Sequence, residues 1–327
     1  MKRKLGVVMD PIGSINRTKD STYKMLLEAE KRNFEIFYME QSSLFIRDGV
    51  CFASAQRLTF DPSLNPPKSH QLAEAQNNWY QLSQTEVINL GTLDVVLMRK
   101  DPPFDMEYIY TTHQLDLAER DGCLVVNAPG TLRNTNEKLL TQHFTECCAP
   151  TLVTRTIAPI KNFLEEHQDI IVKPLDGMGG ASIFRLQQGD PNTNVILETI
   201  TQHQKETVMA QKYIPEITEG DKRILLVDGE PVPYALARIP AQGESRGNLA
   251  AGGTGRAQPL TDRDRWIAEQ IAPFCKDNGL LFVGLDVIGD YVTEINVTSP
   301  TCVQEIDNAY GTNIAGDLFD AIEKRLK

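Results

Sequence analysis

The first 130 residues alternate short apolar runs with longer amphipathic runs, and this alternation constrains the fold more strongly than any other feature. Four runs have the length and apolar content of buried strands: 5–9, 35–39, 93–98 and 123–126. Helical periodicity lies between them, at residues 20–32 and 108–120. Strands that alternate with helices predict an open, mostly parallel, Rossmann-like α/β sheet, which binds its ligands at the carboxyl ends of the strands.

After about residue 135 the pattern changes to short β-rich runs separated by turn signals. The runs are residues 151–154, 170–173, 182–185, 208–213, 223–227, 233–238, 282–288 and 291–297. Turn sequences such as Val227-Asp-Gly-Glu230 predict that several runs pair as antiparallel hairpins, so the second half is expected to be α+β. Residues 51–91 are polar and contain three prolines, which predicts a hairpin followed by an irregular excursion.

The charge balance restricts the partners of the chain. A net charge of −11 and a sequence pI of about 5.0 argue against broad contact with nucleic acid or anionic membranes, which both require clustered positive charge. No run approaches the roughly 18 apolar residues of a membrane span, and the run at residues 5–9 is too short for a signal peptide. The six cysteines lack Cys-x-x-Cys spacing, so we expect a cytoplasmic protein with reduced thiols and small-molecule partners.

Residues 170–182 carry the pattern that phosphate groups require. Lys173 ends an apolar strand, and three glycines follow it, at positions 177, 179 and 180. Glycine backbone lets peptide groups approach oxygen anions closely, and the lysine adds positive charge. This pattern predicts a site for the phosphates of a nucleotide.

A second motif, Glu294-Ile-Asn296, supplies what the metal of such a nucleotide requires. Because successive side chains of a strand alternate between faces, Glu294 and Asn296 are expected to point the same way. Their hard oxygen atoms are ligands that Mg²⁺ selects. The two motifs together predict that the chain handles a nucleoside triphosphate.

Residues 239–255 have neither helical nor strand periodicity and contain five glycines. Structureless loops of this length are uncommon in compact domains. One interpretation is a mobile lid that delivers Arg246 to the reacting phosphate when it closes. The alternative is a disordered surface excursion.

Five motifs in register resemble the bacterial glutathione synthetases of the ATP-grasp superfamily. They are residues 173–182 (KPLDGMGGAS), 98–104 (MRKDPPF), Arg238-Ile-Pro with the glycine-rich stretch after it, Val283-Gly-Leu-Asp286 and residues 293–301 (TEINVTSPT). The resemblance covers nearly the whole chain and departs only at about residues 51–91. It implies a pre-ATP-grasp substrate domain at residues 1–135, followed by a two-lobed ATP-grasp domain. The small lobe would span residues 136–212, and the large lobe, with the lid at 239–255, residues 213–327.

The resemblance also implies an activity, its cofactors and its site. The family joins γ-glutamylcysteine to glycine through an acyl phosphate while ATP is split to ADP and phosphate. Two Mg²⁺ ions are expected, with Mn²⁺ as a substitute, and a homo-oligomer, a tetramer or dimer. The implied ATP-binding residues are Lys138, Lys173, Gly177, Gly179, Gly180, Ala181, Ser182, Gln211, Lys212, Tyr213, Ile214 and Asp221. The implied catalytic residues are Arg223, Arg238 and Arg246; the metal ligands are Asp286, Glu294 and Asn296; the substrate-binding residues are Arg99, Asp101, Asn296, Ser299 and Thr301.

Other interpretations remain open for single segments and for the whole chain. Residues 211–214 could be a plain buried strand end, and Arg99 could form a salt bridge between domains. A Rossmann oxidoreductase fits less well, because Ser182 occupies the position of the third fingerprint glycine, and the Gly-x-x-x-x-Gly-Lys-Ser/Thr pattern of P-loop kinases is absent. A sibling ligase, of the D-alanine–D-alanine or glutamate-ligase type, and a catalytically silent nucleotide-binding module remain as alternatives.

Overall fold

The computed structural model describes residues 2–61, 79–100, 103–177, 180–241, 247 and 252–326. Its strands are β1 (Lys4–Val8), β2 (Glu35–Met39), β3 (Leu44–Arg47), β4 (Val50–Phe60), β5 (Tyr80–Leu82), β6 (Glu86–Asn89), β7 (Val95–Met98), β8 (Leu124–Val126), β9 (Thr151–Thr154), β10 (Asp169–Pro174), β11 (Phe184–Gln187), β12 (Val208–Lys212), β13 (Asp221–Val227), β14 (Glu230–Ile239), β15 (Thr254–Pro259), β16 (Phe282–Ile288) and β17 (Tyr291–Asn296). Its α-helices are α1 (Ser21–Lys31), α2 (Met106–Arg120), α3 (Pro129–Asn134), α4 (Ile157–His167), α5 (Thr193–Ile200), α6 (Asp262–Asp277), α7 (Val303–Tyr310) and α8 (Ile314–Arg325). No helix built from these residues is long and apolar enough to cross a bilayer.

The first sheet has the strand order β3-β4-β2-β1-β7-β8, with β5 and β6 also paired to β4. Strands β2, β1, β7 and β8 run parallel, which confirms the parallel sheet predicted from the alternation of strands and helices. Strand β4 pairs antiparallel with β2, β3, β5 and β6. The hairpin expected at the start of the polar segment is therefore part of a longer antiparallel extension, and residues 62–78 lie outside the described residues.

Two antiparallel sheets form the second half. One has four strands in the order β11-β10-β12-β9, and the other has five in the order β15-β14-β13-β16-β17. The predicted hairpin between β13 and β14 turns at Asp228 and Gly229, whose φ angles of 52° and 74° suit a two-residue hairpin turn. The strand predicted at residues 182–185 begins instead at Phe184, because Ser182 has a φ of 56°, outside the range of a strand.

The four-stranded sheet has an apolar core of its own, which it shares with α4 and α5. The buried residues of this core are Ile160, Leu164, Ile170, Val172, Leu186, Leu197, Val208 and Ala210. The other two sheets share their cores with each other and with the C-terminal helices. Helix α8 packs on α1, and its Phe319 meets Phe34, which lies between α1 and β2, edge to face at 5.4 Å between ring centres. The last helix of the chain is thus joined to the first sheet.

Candidate active site

A cavity of about 370 Å³ lies between the four-stranded and five-stranded sheets. Cavities of this size are typical of small-molecule sites. Side chains from both sheets line it, together with Glu137 and Lys138 and the segment after β17. Residues that are 156 positions apart, such as Lys138 and Glu294, are therefore neighbours in one chamber.

Three charged side chains form a row across one face of the five-stranded sheet. The strand register places Arg223 of β13 opposite Asp286 of β16, and Asp286 opposite Glu294 of β17. The Arg223 guanidinium donates to both oxygens of Asp286, at 2.5 Å from Nε and 3.1 Å from Nη2. Directly opposed residues in antiparallel strands face the same side of the sheet, so the register itself builds this row.

Arg238 of β14 extends the row into a cluster. Its Nη2 lies 2.5 Å from Oδ2 of Asp221 and 2.9 Å from Oδ2 of Asp286. Each of the two carboxylates is therefore held by a guanidinium, and Asp286 is held by two. Asp221 keeps its other oxygen, Oδ1, buried and without a hydrogen-bond partner among the described residues. This oxygen is available to a ligand in the cavity that Asp221 lines.

The cluster separates the pKa values of its two carboxyl groups. Burial alone would raise the pKa of Asp286, but the charges of Arg223 and Arg238 outweigh it and hold that pKa well below its usual range. Burial raises the pKa of Asp221 to about 6, against the opposing charge of Arg238 and with a further upward contribution from Asp286. Asp286 is therefore a fixed anion at neutral pH.

Two buried lysines, Lys138 and Lys173, line the cavity. Nζ of Lys138 donates to the carbonyl oxygen of Gly177 at 2.7 Å and to Oε1 of Glu294 at 2.9 Å. Nζ of Lys173 donates to the carbonyl oxygen of Thr293 at 3.1 Å. Burial lowers the pKa of Lys173; the charge of Glu294 opposes this effect and that of Lys138 adds to it. Two lysine cations that line the same buried cavity favour an anionic ligand.

The glycine-rich loop lies only partly against the cavity. Gly177 and Gly180 line it, whereas Ala181 and Ser182 are exposed and do not. Gly180 has a φ of 78°, a left-handed conformation that favours glycine. Gly179 lies outside the described residues.

Part of the cavity lining is apolar. The four residues predicted for adenine, Gln211, Lys212, Tyr213 and Ile214, all line the cavity. Four isoleucines that sequence reasoning missed also line it: Ile171, Ile183, Ile217 and Ile288. Ile171 was within reach of a sequence argument, because it is two positions before Lys173 in the same strand and so lies on the same face.

The predicted metal ligands share one wall. Asp286, Glu294 and Asn296 all line the cavity, as the alternation of side chains in β17 requires. Nδ2 of Asn296 donates to the carbonyl oxygen of Gly284 at 3.3 Å, a bond that does not use its side-chain oxygen. Two carboxylates and one amide oxygen fit a hard divalent cation such as Mg²⁺. The part of the chain that the structure describes holds no group of three His, Cys, Asp or Glu side chains arranged around a metal position.

The predicted substrate residues divide into two sets. Asn296, Ser299 and Thr301 line the cavity. Arg99 does not: it is buried behind this wall, with Nε on Thr22 Oγ1 at 3.1 Å and Nη2 on the carbonyl oxygen of Pro300 at 3.0 Å. Arg99 therefore supports the segment that carries Ser299 and Thr301. Asp101 and Arg246 lie outside the described residues.

The comparison with known families decides the assignment of the chain. Residues 3–133 match the family model of the prokaryotic glutathione synthetase N-terminal domain, and residues 137–311 match that of the prokaryotic glutathione synthetase ATP-grasp domain. The chain belongs to the prokaryotic glutathione synthetase family. It is 56% identical over 324 residues to the glutathione synthetase of Vibrio parahaemolyticus, covering 99% of each chain. It is 55% identical over 326 residues to that of Pseudomonas aeruginosa, covering 100% of this chain and 99% of the relative.

Solved structures with low sequence identity share the fold of this glutathione synthetase family member. D-cycloserine synthetase DcsG aligns with a TM-score of 0.67 at 13% identity, over 99% of this chain and 100% of the other. D-alanyl-alanine synthetase A from Vibrio cholerae aligns with a TM-score of 0.57 at 14% identity, over 99% and 98%. The ATP-grasp ligase PsnB aligns with a TM-score of 0.62 at 17% identity, over the full length of both chains. These alignments confirm the predicted ATP-grasp fold.

Proposed function

We propose that this chain catalyses the formation of glutathione from γ-glutamylcysteine and glycine, with ATP split to ADP and phosphate. Membership of the glutathione synthetase family makes it an ATP-dependent carboxylate–amine ligase. The observation that carries the proposal is the convergence of Lys138, Lys173 and Glu294 on one cavity, beside the paired arginines Arg223 and Arg238. Such an arrangement positions and neutralises a phosphoryl group, which needs little covalent help.

The nucleotide is proposed to lie along the length of the cavity. Adenine occupies the apolar part of the cavity, between Ile171 and Ile288, with polar contacts from the backbone of residues 211–214. Oδ1 of Asp221, which has no hydrogen-bond partner in the described part of the chain, accepts a hydrogen bond from a ribose hydroxyl. The phosphates reach Lys138, Lys173 and the glycine-rich loop, whose peptide groups at residues 177–182 close over them.

Asp286, Glu294 and Asn296 are proposed to hold Mg²⁺, as two ions in the family pattern, with Mn²⁺ as a substitute. When bound, the ions neutralise charge on the phosphate oxygens. The lowered pKa of Asp286 keeps that carboxylate ionised throughout the neutral range, as a hard cation requires. Glu294 would hold an ion with the carboxylate that now accepts from Lys138.

The arginine pair is proposed to act on the reacting carboxylate. One oxygen of the cysteinyl carboxylate attacks the terminal phosphorus of ATP, the bond to ADP breaks, and an acyl phosphate forms. The amine of glycine then adds to the acyl carbon, loses a proton and expels phosphate. Arg223 and Arg238 stabilise the negative charge that develops on the phosphate and on the tetrahedral adduct. The dipeptide binds against Asn296, Ser299 and Thr301.

Residues 239–255 are proposed to form a lid that brings Arg246 to the phosphate. Support comes from the ends of this segment, since β14 ends at Ile239, β15 begins at Thr254, and Gly247 lines the cavity. An acyl phosphate exposed to water hydrolyses, so a lid protects the intermediate. Shortening residues 243–253 should therefore release more ADP than glutathione. An unchanged yield of glutathione per ATP in the shortened chain would contradict this role.

The division into residues 1–135, 136–212 and 213–327 remains a proposal, and so does a cytoplasmic homo-oligomer. The separate core of the four-stranded sheet supports residues 136–212 as a unit. The packing of α8 on α1 argues for counting the last helix with the first sheet. Light scattering on the purified protein measures the oligomer directly.

The test of the function is product identification by mass spectrometry after incubation with ATP, Mg²⁺, γ-glutamylcysteine and glycine. Glutathione should form only when both amino substrates are present. Replacement of the amino substrates by D-alanine separates this activity from that of a D-alanine–D-alanine ligase, and absence of ADP release with every substrate would overturn both. The Glu294→Gln variant should lose most turnover, and near-normal turnover would remove Glu294 from the metal site.

A further inference from the structure

Glu137 is the one acidic residue that lines the cavity, among the described residues, without a role in the proposed chemistry. It precedes Lys138 and lies in neither of the two sheets that enclose the cavity. Its backbone carbonyl oxygen accepts a hydrogen bond from the backbone nitrogen of Ile295 in β17 at 2.9 Å. Glu137 is therefore attached by its backbone to the strand that carries Glu294 and Asn296.

The side chain of Glu137 holds the segment that follows β17. Its Oε1 accepts three hydrogen bonds: from the backbone nitrogen of Val297 at 2.7 Å, from the backbone nitrogen of Thr298 at 3.0 Å and from Oγ1 of Thr298 at 3.0 Å. Val297 and Thr298 are buried. Loss of the acceptor would leave two buried peptide N–H groups unpaired, which is costly.

The segment held in this way leads directly into the wall that faces the substrate. Thr298, Ser299 and Thr301 line the cavity, and Arg99 holds the carbonyl oxygen of Pro300 from behind. Oγ of Ser299 also donates to the carbonyl oxygen of Lys100 at 3.1 Å. The Glu137 carboxylate thus holds the start of residues 297–301, and contacts from Arg99 and Lys100, just after β7, hold Pro300 and Ser299.

We propose that Glu137 is a positioning residue for the dipeptide, which sets the conformation of residues 297–301 without contributing to the nucleotide site. The proposal rests on the proposed function, because it assigns the dipeptide to that wall. The backbone bond from Glu137 to Ile295 is unaffected by a change of side chain, so Lys138 and Glu294 should keep their places. The effect of a substitution should therefore fall on one substrate only.

The test compares steady-state kinetics of Glu137→Ala, Glu137→Gln and Thr298→Val with those of the wild type. Glu137→Ala should raise the KM for γ-glutamylcysteine by about tenfold or more, the factor that corresponds to loss of a hydrogen bond to a charged group. The KM for ATP should change by less than about twofold. Glu137→Gln keeps a side-chain oxygen at the same reach and should restore most of the dipeptide affinity. Thr298→Val removes one of the three donors and should give a smaller rise in the same KM.

Glu28→Ala provides the matched control. Glu28 is a buried carboxylate of α1 that accepts hydrogen bonds from Arg32 Nε at 2.7 Å and Lys31 Nζ at 3.3 Å, away from the cavity. It should lower the melting temperature and leave both KM values unchanged. Equal changes in both KM values of Glu137→Ala, or failure of Glu137→Gln to restore the dipeptide KM, would overturn the positioning role. If the wild type forms no glutathione, the proposed function itself is overturned, and the role of Glu137 is overturned with it.

Discussion

Arg223 is the residue on which the proposed chemistry depends most directly. Its planar guanidinium donates to both oxygens of Asp286, a geometry that lysine cannot reproduce with a single ammonium group. Arg223→Lys should keep the positive charge but lose the paired hydrogen bonds to Asp286. It should lower kcat by about 10²–10³, the effect of removing one donor to a developing oxyanion. Steady-state assays at saturating ATP measure this loss.

The control for Arg223→Lys is Arg325→Lys, which makes the same change in an arginine–aspartate pair at the far end of β13. Nη2 of Arg325 lies 2.6 Å from Oδ1 of Asp228, and both side chains are partly exposed. The kcat of Arg325→Lys should match that of the wild type. A kcat within about threefold of wild type in Arg223→Lys itself would remove Arg223 from the reaction.

The ion pair between Arg325 and Asp228 should make the free energy of unfolding depend on pH. The hydrogen bond from Arg325 lowers the pKa of Asp228 below its ordinary value of 3.8. A lowered pKa means that the ionised form stabilises the fold above pH 3.8, and that this contribution is lost as the pH falls through the folded-state pKa. Asp228→Asn retains a residue that tolerates the positive φ of this turn, and it should cost about 1 kcal/mol at neutral pH.

Urea unfolding of wild type and Asp228→Asn over a series of pH values checks this prediction. The difference between the two free energies of unfolding should be constant at neutral pH and shrink below pH 3.8. A difference that grows as the pH falls would contradict the assigned direction.

At the scale of elements, β16 has little room for added volume at Gly284, the position next to Arg223. A Cβ atom at Gly284 would lie 3.0 Å from Cδ of Arg223 and 3.2 Å from Cβ of Pro300. The added methyl group would push Arg223 aside, because the space between Gly284 and Arg223 is already filled. The displaced arginine would lose its hydrogen bonds to Asp286. Gly284→Ala should therefore lower kcat and raise the KM for γ-glutamylcysteine together.

Gly130→Ala is the comparison for Gly284→Ala. A Cβ atom at Gly130 would meet only Nη2 of Arg133, at 3.6 Å, which is ordinary contact. Because Gly130 lies in α3 and alanine favours helices, this variant should be as active as the wild type and slightly more stable. If Gly284→Ala behaves in the same way, the space around Arg223 is not limiting.

The sequence predicted elements better than it predicted contacts between them. Strands β2, β9 and β16 begin and end at the predicted residues, because their apolar runs are bounded by polar or turn residues. The pairing of Asp286 with Arg223 was not predictable, since it depends on the register of strands far apart in the chain. The position of Arg99 behind Pro300, rather than in the cavity, depends in the same way on how the first sheet packs against the five-stranded sheet.

On the scale of the whole molecule, the separate core of the four-stranded sheet predicts uneven stability. Its apolar cluster is small and does not merge with the cores that the other two sheets share. Regions with few buried contacts open more readily than the rest of a protein. Without nucleotide, the amides of β10 and β12 should exchange hydrogen faster than those of β13 and β16.

Hydrogen exchange followed by mass spectrometry tests this difference. A non-hydrolysable ATP analogue with Mg²⁺ should slow exchange in β10 and β12 more than in β13 and β16, because the ligand ties the smaller sheet to the larger one. Equal protection of all four strands in the free protein would contradict the separate core. Phe319→Ala, which should cost about 3–5 kcal/mol in the α1–α8 contact, provides a variant that destabilises only the shared cores.

The contact between Lys138 and Glu294 leaves neither charge unmatched before any ligand arrives. A polyanion that binds Lys138 alone leaves Glu294 without its partner charge, and a cation that binds Glu294 alone leaves Lys138 without its partner charge. When both ligands bind together, both charges stay paired. Each ligand should therefore tighten the binding of the other by the same factor, as reciprocity requires. With the proposed roles of Lys138 and Glu294, we therefore expect the protein to respond to the metal–nucleotide complex as a single ligand.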